Sequence, residues 1–179
     1  MRHSVWHTRA MPVVTIREAV AADDEAIGEL LVQAFVEQYA KKLPQVQVTD
    51  RRKRELRDVA GKRAVAKVWV AESNGGVVGT VAVWPMGAQG SETWLSDSCD
   101  LRHLAIAASV RGQGVAGQLL DAAEAWARGS GAKRVVLHVR RGAVGVRRLY
   151  EARGYLRDES GDIDALPEVF LEAFLLPLE

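Results

Sequence analysis

The sequence predicts a single α/β domain built on a mixed, mostly antiparallel sheet flanked by helices. Three observations carry that reading. Short Val- and Trp-rich runs have strand character, whereas other segments repeat their apolar residues every three or four positions. The runs follow the order β-α-α-β-β-β-α-β-α-β-β, with hairpins early and a β-α-β crossover late, which demands both antiparallel and parallel neighbours. No repeat, low-complexity linker or break in composition divides the 179 residues.

The first strand is read over Val13 to Arg17, where apolar and polar residues alternate. Asp23 and Asp24 then stand where acids favour a helix start, and Ala26, Ile27, Leu30, Leu31, Ala34 and Phe35 carry a helix to about Gln38. Pro44 interrupts. Asp50 to Lys62 reads as one charged amphipathic helix with Leu56, Val59 and Ala60 on its thin apolar face. Lys67 to Ala71 and Val77 to Trp84 are strands joined by Asn74-Gly75-Gly76, residues that tolerate the positive φ of a tight hairpin. Gly87 to Ser98 reads as a loop and Leu101 to Ala107 as a central, mostly apolar strand. A glycine-rich turn, Arg111 to Gly117, leads into a helix over Leu119 to Arg128. Val135 to Val139 is a strand, Val146 to Arg153 a short helix stopped at Gly154, Tyr155 the start of an extended piece, and Val169 to Leu176 a last strand.

Composition narrows the function classes. Apolar residues make up 48% and charged residues 26%, ordinary globular values that leave room for a core without disulfides or metal staples. The net charge of +1 argues against nucleic acid as a partner. The lone Cys99 excludes an internal disulfide and a multi-cysteine zinc site, and with four scattered histidines no metal is expected. No run of eighteen apolar residues is present, so no membrane span is expected. Residues 1–10 lack a signal-peptide pattern and read as a loosely ordered extension ahead of a domain over 11–179, with a cytoplasmic location as the default. Arginine outnumbers lysine 18 to 6 and Asn74 is the only asparagine, a bias read as compositional rather than functional.

The turn carries the most chemistry. Glycines at 112, 114 and 117 let the backbone curl so that its N–H groups point inward at a helix start, where the dipole adds positive potential; such a turn suits a pyrophosphate. Arg111 can add charge or brace the loop. A bare strand-to-helix connection fits the same glycines. So does the dinucleotide fingerprint G-x-G-x-x-G, although a Ser109-Val110-Arg111 spacer precedes it and the next strand ends in Arg140-Arg141 rather than an acid, which would suit NADP if anything.

Two motifs point elsewhere. Arg111, Gly114 and Ala116 fit Arg/Gln-x-x-Gly-x-Gly/Ala, and Leu149, Tyr150, Glu151, Gly154 and Tyr155 fit Leu-Tyr-Glu-x-x-Gly-Phe/Tyr, with one helix and one strand between them. Together they resemble the GNAT superfamily of N-acetyltransferases. The resemblance implies a sheet with a splayed central strand pair, acetyl-CoA as donor and a small-molecule or peptide amine as acceptor. It implies that the pyrophosphate rests on Gly112, Gln113, Gly114, Val115, Ala116 and Gly117 beside Arg111. It implies that the pantetheine arm pairs with Leu104, Ala105 and Ile106 like an added strand. Members of the family often carry an asparagine seven residues before the tyrosine; here that position is Ala143. Many also form homodimers, in which the apolar last strand could take part.

The resemblance gives Tyr150 the role of general acid toward the leaving thiolate, with packing on its helix as the plainer reading. A backbone N–H near Leu104 to Ile106 would meet the oxyanion. Asp100 is the candidate base, deprotonating the amine through a water, with an ion pair to Arg102 as the alternative. Strand alternation groups Asp100, Arg102, Leu104 and Ile106 on one face and His103 with Leu101 and Ala105 on the other. His103 and His138 are read as packing histidines and Cys99 as structural. The basic run Arg51 to Arg54 and the acids Asp158, Glu159, Asp162, Asp164 and Glu168 are read as solvated faces; as site walls they would favour acceptors of opposite charge, so neither selects a substrate. A non-catalytic acyl-CoA-binding or sensing domain is the alternative function.

Overall fold

The structure is a computed structural model that describes residues 13–42, 48–166 and 169–179. The expected N-terminal extension, part of the loop after the first helix and Glu168 lie outside the described residues. The strands are β1 (Thr15–Glu18), β2 (Lys67–Ser73), β3 (Gly76–Trp84), β4 (Ser98–Ile106), β5 (Arg134–Arg140), β6 (Leu156–Arg157), β7 (Ile163–Leu166) and β8 (Val169–Pro177). The helices are α1 (Asp24–Lys42), α2 (Asp50–Arg57), α3 (Val59–Val65), α4 (Val115–Gly129) and α5 (Val144–Ala152).

One sheet runs in the order β1-β2-β3-β4-β5-β8-β6, with β7 added on β8. Every pair is antiparallel except β4 with β5, the crossover predicted around α4. Alternation in the strands sends side chains to two cores. Trp69, Val81, Val83, Cys99, Leu101, Val135 and Leu137 pack with Leu119, Leu120 and Ala123 of α4 on one face. Val68, Val70, Ala82, Trp84 and Ala105 pack with Ile27, Leu31, Leu56 and Val59 on the face of α1, α2 and α3.

The hairpin turn is as predicted, with Asn74 at φ 51° and Gly75 at φ 76° between Ser73 and Gly76. Elsewhere the structure departs from the sequence reading for local reasons. The helix expected over 50–62 is two helices. The Thr49 side chain caps α2 by accepting from Arg52 N at 3.1 Å. Asp58 ends it in a non-helical conformation and restarts the chain by accepting from Gly61 N at 3.0 Å, so Gly61 lies in the first turn of α3 rather than near a helix end. β4 begins at Ser98 instead of Leu101, because its polar first residues pair with Arg134–Val136 and are buried. α4 begins at Val115, so the second half of the expected turn is helix. β7 forms in the segment read as an acidic loop.

The consequential departure is a bulge in β4. Thr80 pairs with Ala105 and Ala82 with Arg102, so Val81 faces both His103 and Leu104, and His103 takes φ 60°. The extra residue breaks the alternation on which the faces were assigned. His103 turns to the α1 face, where its ring meets Phe35 and Trp84 at centroid distances of 6.2 and 5.7 Å. Leu104 and Ile106 turn to the α4 face instead of sharing the face of Asp100.

Candidate functional site

β4 and β5 are hydrogen-bonded only from Ser98 to Asp100 and from Arg134 to Val136. Beyond that, β4 stays on β3 as far as Ile106 while β5 stays on β8 as far as Arg140. The two strands therefore splay into a wedge with its apex at Asp100 and Val136. Leu104, Ala105 and Ile106 run along one side of the wedge, and the glycine turn lies at its wide end, where β4 gives way to α4.

That turn has the features of an anion cradle. Gly112 and Gly114 take φ 76° and 80°, and a β-carbon on either would meet nothing within 4 Å. Their requirement for glycine is thus conformational, and the space above them is open. Gly114 precedes α4 without any side-chain cap. Gln118 N reaches Gly114 O, so the N–H groups of Val115, Ala116 and Gly117 are the ones a helix start leaves without intrahelical acceptors. Arg111 braces the loop: its Nε donates to Ile106 O at 3.1 Å and its guanidinium lies 3.7 Å from Glu37. Gln113 Nε2 donates to Ser109 O at 3.2 Å.

Tyr150 projects from α5 into the α4-side core and is almost wholly buried, its ring edge-on to Tyr155 at 5.2 Å. Burial, and behind it the Glu124 carboxylate, push the phenol well above its ordinary pKa, so it holds its proton across the neutral range. Glu124 itself is fixed by Arg153 at 2.6 Å and by the Tyr155 hydroxyl at 3.1 Å. Ala143 precedes α5 and offers no capping side chain.

Asp100 lies on the other face of the sheet and is fully buried. Its Oδ2 accepts from Glu92 N at 2.7 Å and pairs with Arg102 at 2.9 Å, the ion pair foreseen from sequence. Burial raises its pKa, and the Arg102 charge opposes that rise. Arg102 is held over the Trp84 ring at 4.1 Å and also reaches Glu92 at 3.3 Å. His138, on β5 two residues past the apex residue Val136, donates from Nε2 to Gly161 O at 2.8 Å and faces Trp94 at 5.4 Å. The wedge therefore separates Tyr150 on one face from Asp100, Arg102 and the two histidines on the other.

The sequence missed this second cluster. His138 could have been found by counting from Val136 along β5; nothing in the sequence signals Trp94. Of the acids after β6, Glu159 and Asp164 are exposed as read, whereas two are engaged: Asp158 accepts from Trp94 Nε1 at 2.9 Å and from Ser160, and Asp162 pairs with Arg157 at 2.5 Å and accepts from Ala173 N at 2.9 Å. The basic run on α2 is an exposed helix face whose Arg51 and Arg52 pair with Glu55. Cys99 is buried in the α4-side core, where burial raises its thiol pKa. Among the described residues no three potential ligands cluster to hold a metal, and no helix is long and apolar enough to cross a membrane.

The chain resembles several solved structures at low identity. An acetyltransferase of the GNAT family from Staphylococcus aureus Mu50 superposes with a TM-score of 0.74 at 13% identity, covering 93% of this chain and 100% of that one. An N-acetyltransferase from the same organism gives 0.67 at 20% identity, with 93% and 99% covered. A GNAT family acetyltransferase from Elizabethkingia anophelis with acetyl-CoA bound gives 0.66 at 17% identity, with 92% and 98% covered. At these identities the likeness concerns the fold. No curated protein matches the sequence. The family model described as "Acetyltransferase (GNAT) family" matches residues 25–155, from the start of α1 to just past α5 and so across the whole wedge, and the chain belongs to that family.

Proposed function

We propose that the protein is an N-acetyltransferase that takes its acetyl group from acetyl-CoA and passes it to a primary amine by direct attack within a ternary complex. The wedge carries this reading: β4 offers an unpaired edge from Leu101 to Ile106 that leads from an open glycine cradle to buried polar groups at the apex. The residues fit the donor. In the turn from Gly112 to Gly117 the Gln113 N–H is taken by Val110 O at 3.4 Å, and the N–H groups of Val115, Ala116 and Gly117 suit a pyrophosphate; the strand edge at Leu104, Ala105 and Ile106, where Arg111 holds the Ile106 carbonyl, suits an extended amide-bearing arm. Arg111 serves by bracing the cradle. The donor supplies a thioester carbonyl open to nucleophiles.

The chain supplies the rest. A backbone N–H of the β4 bulge region meets the negative charge developing on the carbonyl oxygen. Tyr150, kept protonated by burial, donates to the departing sulfur. Asp100 supplies the negative charge that draws an ammonium to the apex, and it can take a proton there. The acceptor is a small-molecule or peptide amine, and the setting is cytoplasmic.

Calorimetric titration with acetyl-CoA, with NADPH as the control ligand, tests the donor. Saturable binding of acetyl-CoA alone is expected; no binding at millimolar concentration overturns the reading. A screen of amines by free-thiol release then tests turnover. A second reading, an acyl-CoA-binding domain without turnover, is favoured by Ala143 in the asparagine position and by the engagement of Asp100 with Arg102. It predicts binding with no thiol release from any amine.

A further inference from the structure

Buried polar atoms in folded proteins are almost always paired, so the exceptions call for a cause. Among the described residues six buried side-chain polar atoms have no hydrogen-bond partner. Four of them, Asp100 Oδ1, Arg102 Nε, His103 Nδ1 and His138 Nδ1, lie on the α1 face of β4 and β5 around the wedge apex.

Their chemistry is not uniform. The Gly161 carbonyl can only accept, so His138 Nε2 is its donor, and the neutral ring then carries a bare lone pair on Nδ1. Asp100 Oδ1 is likewise an acceptor. Two acceptors at one apex are complementary to a group with several N–H donors, which is what an ammonium is. The arrangement also tells the histidines apart. His103 is packed against Phe35 and Trp84, and burial holds its pKa far below the ordinary value, so it stays neutral. Asp100 is tied to Arg102 and to Glu92 N through its other oxygen. His138 has neither restraint on Nδ1.

We propose that His138 Nδ1 is the proton acceptor for the amine substrate, with Asp100 Oδ1 holding the ammonium beside it. The assignment rests on the acetyltransferase reading and, within it, gives the proton to His138 in place of Asp100, whose Oδ2 is already held by Arg102 and Glu92 N. One N–H bond of the ammonium breaks, its electron pair stays on nitrogen, and the proton bonds to Nδ1. The neutral amine can then attack, and the imidazolium returns its proton to solvent. The charged groups around the ring are Asp100 and Arg102 on β4, Glu92 before it, Asp158 behind Trp94, and the Asp162–Arg157 pair beside Ala173, the residue opposite His138 on β8. Trp94 and Gly161 fix the ring's orientation, as a proton acceptor needs.

The test uses the full chain, its His138→Gln and Asp100→Asn variants, and ethylammonium chloride as the probe. Nitrogen NMR of the histidine-labelled protein reads the ring directly. The neutral ring is expected to carry its proton on Nε2, with an Nδ1 resonance that moves on saturation with ethylammonium and moves less in Asp100→Asn. A proton on Nδ1, or an unmoved resonance, overturns the assignment. Calorimetry with acetyl-CoA follows: His138→Gln is expected to bind as wild type does, and absence of binding in wild type overturns the acetyltransferase reading while the NMR result still judges the ring. With ethylamine as acceptor, His138→Gln is expected to lower kcat about 10²-fold. Its rate should rise with pH where wild type levels off, and added imidazole should restore part of the rate in His138→Gly. Unchanged kcat in His138→Gln, with ethylamine turned over by wild type, overturns the assignment.

Discussion

Trp94 fills the space above Gly161 in which a side chain would have to stand, so that a β-carbon at Gly161 would overlap the indole. The same indole donates to Asp158 and faces His138, whose Nε2 uses the Gly161 carbonyl. Gly161 is thus the small residue that lets two loops lock across the end of β5. Gly161→Ala must push the indole aside. An overpacking cost of about 1–3 kcal/mol is expected, seen as a lower midpoint in urea melts. An unchanged midpoint would show that the indole moves freely and does not fix the histidine.

A second expectation concerns acid stability. The unfolded chain takes a proton at His103 near the ordinary value of 6.5, whereas the folded chain does so only well below it because the ring is buried. The folded state therefore binds fewer protons below pH 6.5. The contribution of His103 to stability is complete above that pH and is lost progressively as the pH falls below it. His103→Asn removes the titration and keeps a residue that tolerates φ 60°. Thermal melts between pH 5 and 7 should show a shallower acid decline in the variant. Equal slopes would mean that His103 is not held neutral.

His103 also marks how far the sequence could be read. Hydrophobic periodicity located the helices and most strands, and turn chemistry located the Asn74-Gly75 hairpin, because these are local signals. The bulge is not local: it exists because Ala105 and Arg102 take their register from Thr80 and Ala82 on another strand. One extra residue then reversed the faces of His103, Leu104, Ala105 and Ile106. The buried start of β4 stayed hidden for a related reason. Ser98 and Asp100 are polar, and their burial is satisfied by pairing with β5 and by the preceding loop, where Ser98 Oγ donates to Leu95 O and Asp100 Oδ2 accepts from Glu92 N. The glycine turn was legible because positive φ at Gly112 and Gly114 leaves glycines in the sequence. The histidine cluster was not, because it is assembled from two strands and two loops.

Tyr150 tests the chemistry. Its phenol is buried against Tyr155, and its raised pKa keeps the proton in place through neutral and mildly alkaline pH. Tyr150→Phe keeps the ring and loses the donor. With an amine that wild type acetylates, kcat should fall about 10²-fold while acetyl-CoA affinity stays near wild type. The melting temperature should change little, since the ring contact remains. A variant with full kcat would leave Tyr150 a packing residue.

Ala143 offers a gain-of-function test. It stands at the start of α5, with φ −79° and ψ 67°, and gives the helix no side-chain cap. Asparagine is among the best residues for such a position, because its carbonyl can accept an N–H that the first turn leaves unpaired. Ala143→Asn should therefore stabilise the protein by about 0.5–2 kcal/mol, read as a higher urea midpoint. The same asparagine belongs to the pattern that this family often carries before its tyrosine. If α5 borders the donor site as proposed, calorimetry should also show tighter acetyl-CoA binding in the variant. Added stability with unchanged affinity would confine the effect to the helix cap and place the pantetheine arm away from α5. Tighter binding with unchanged stability would show the asparagine reaching the ligand instead of its own helix.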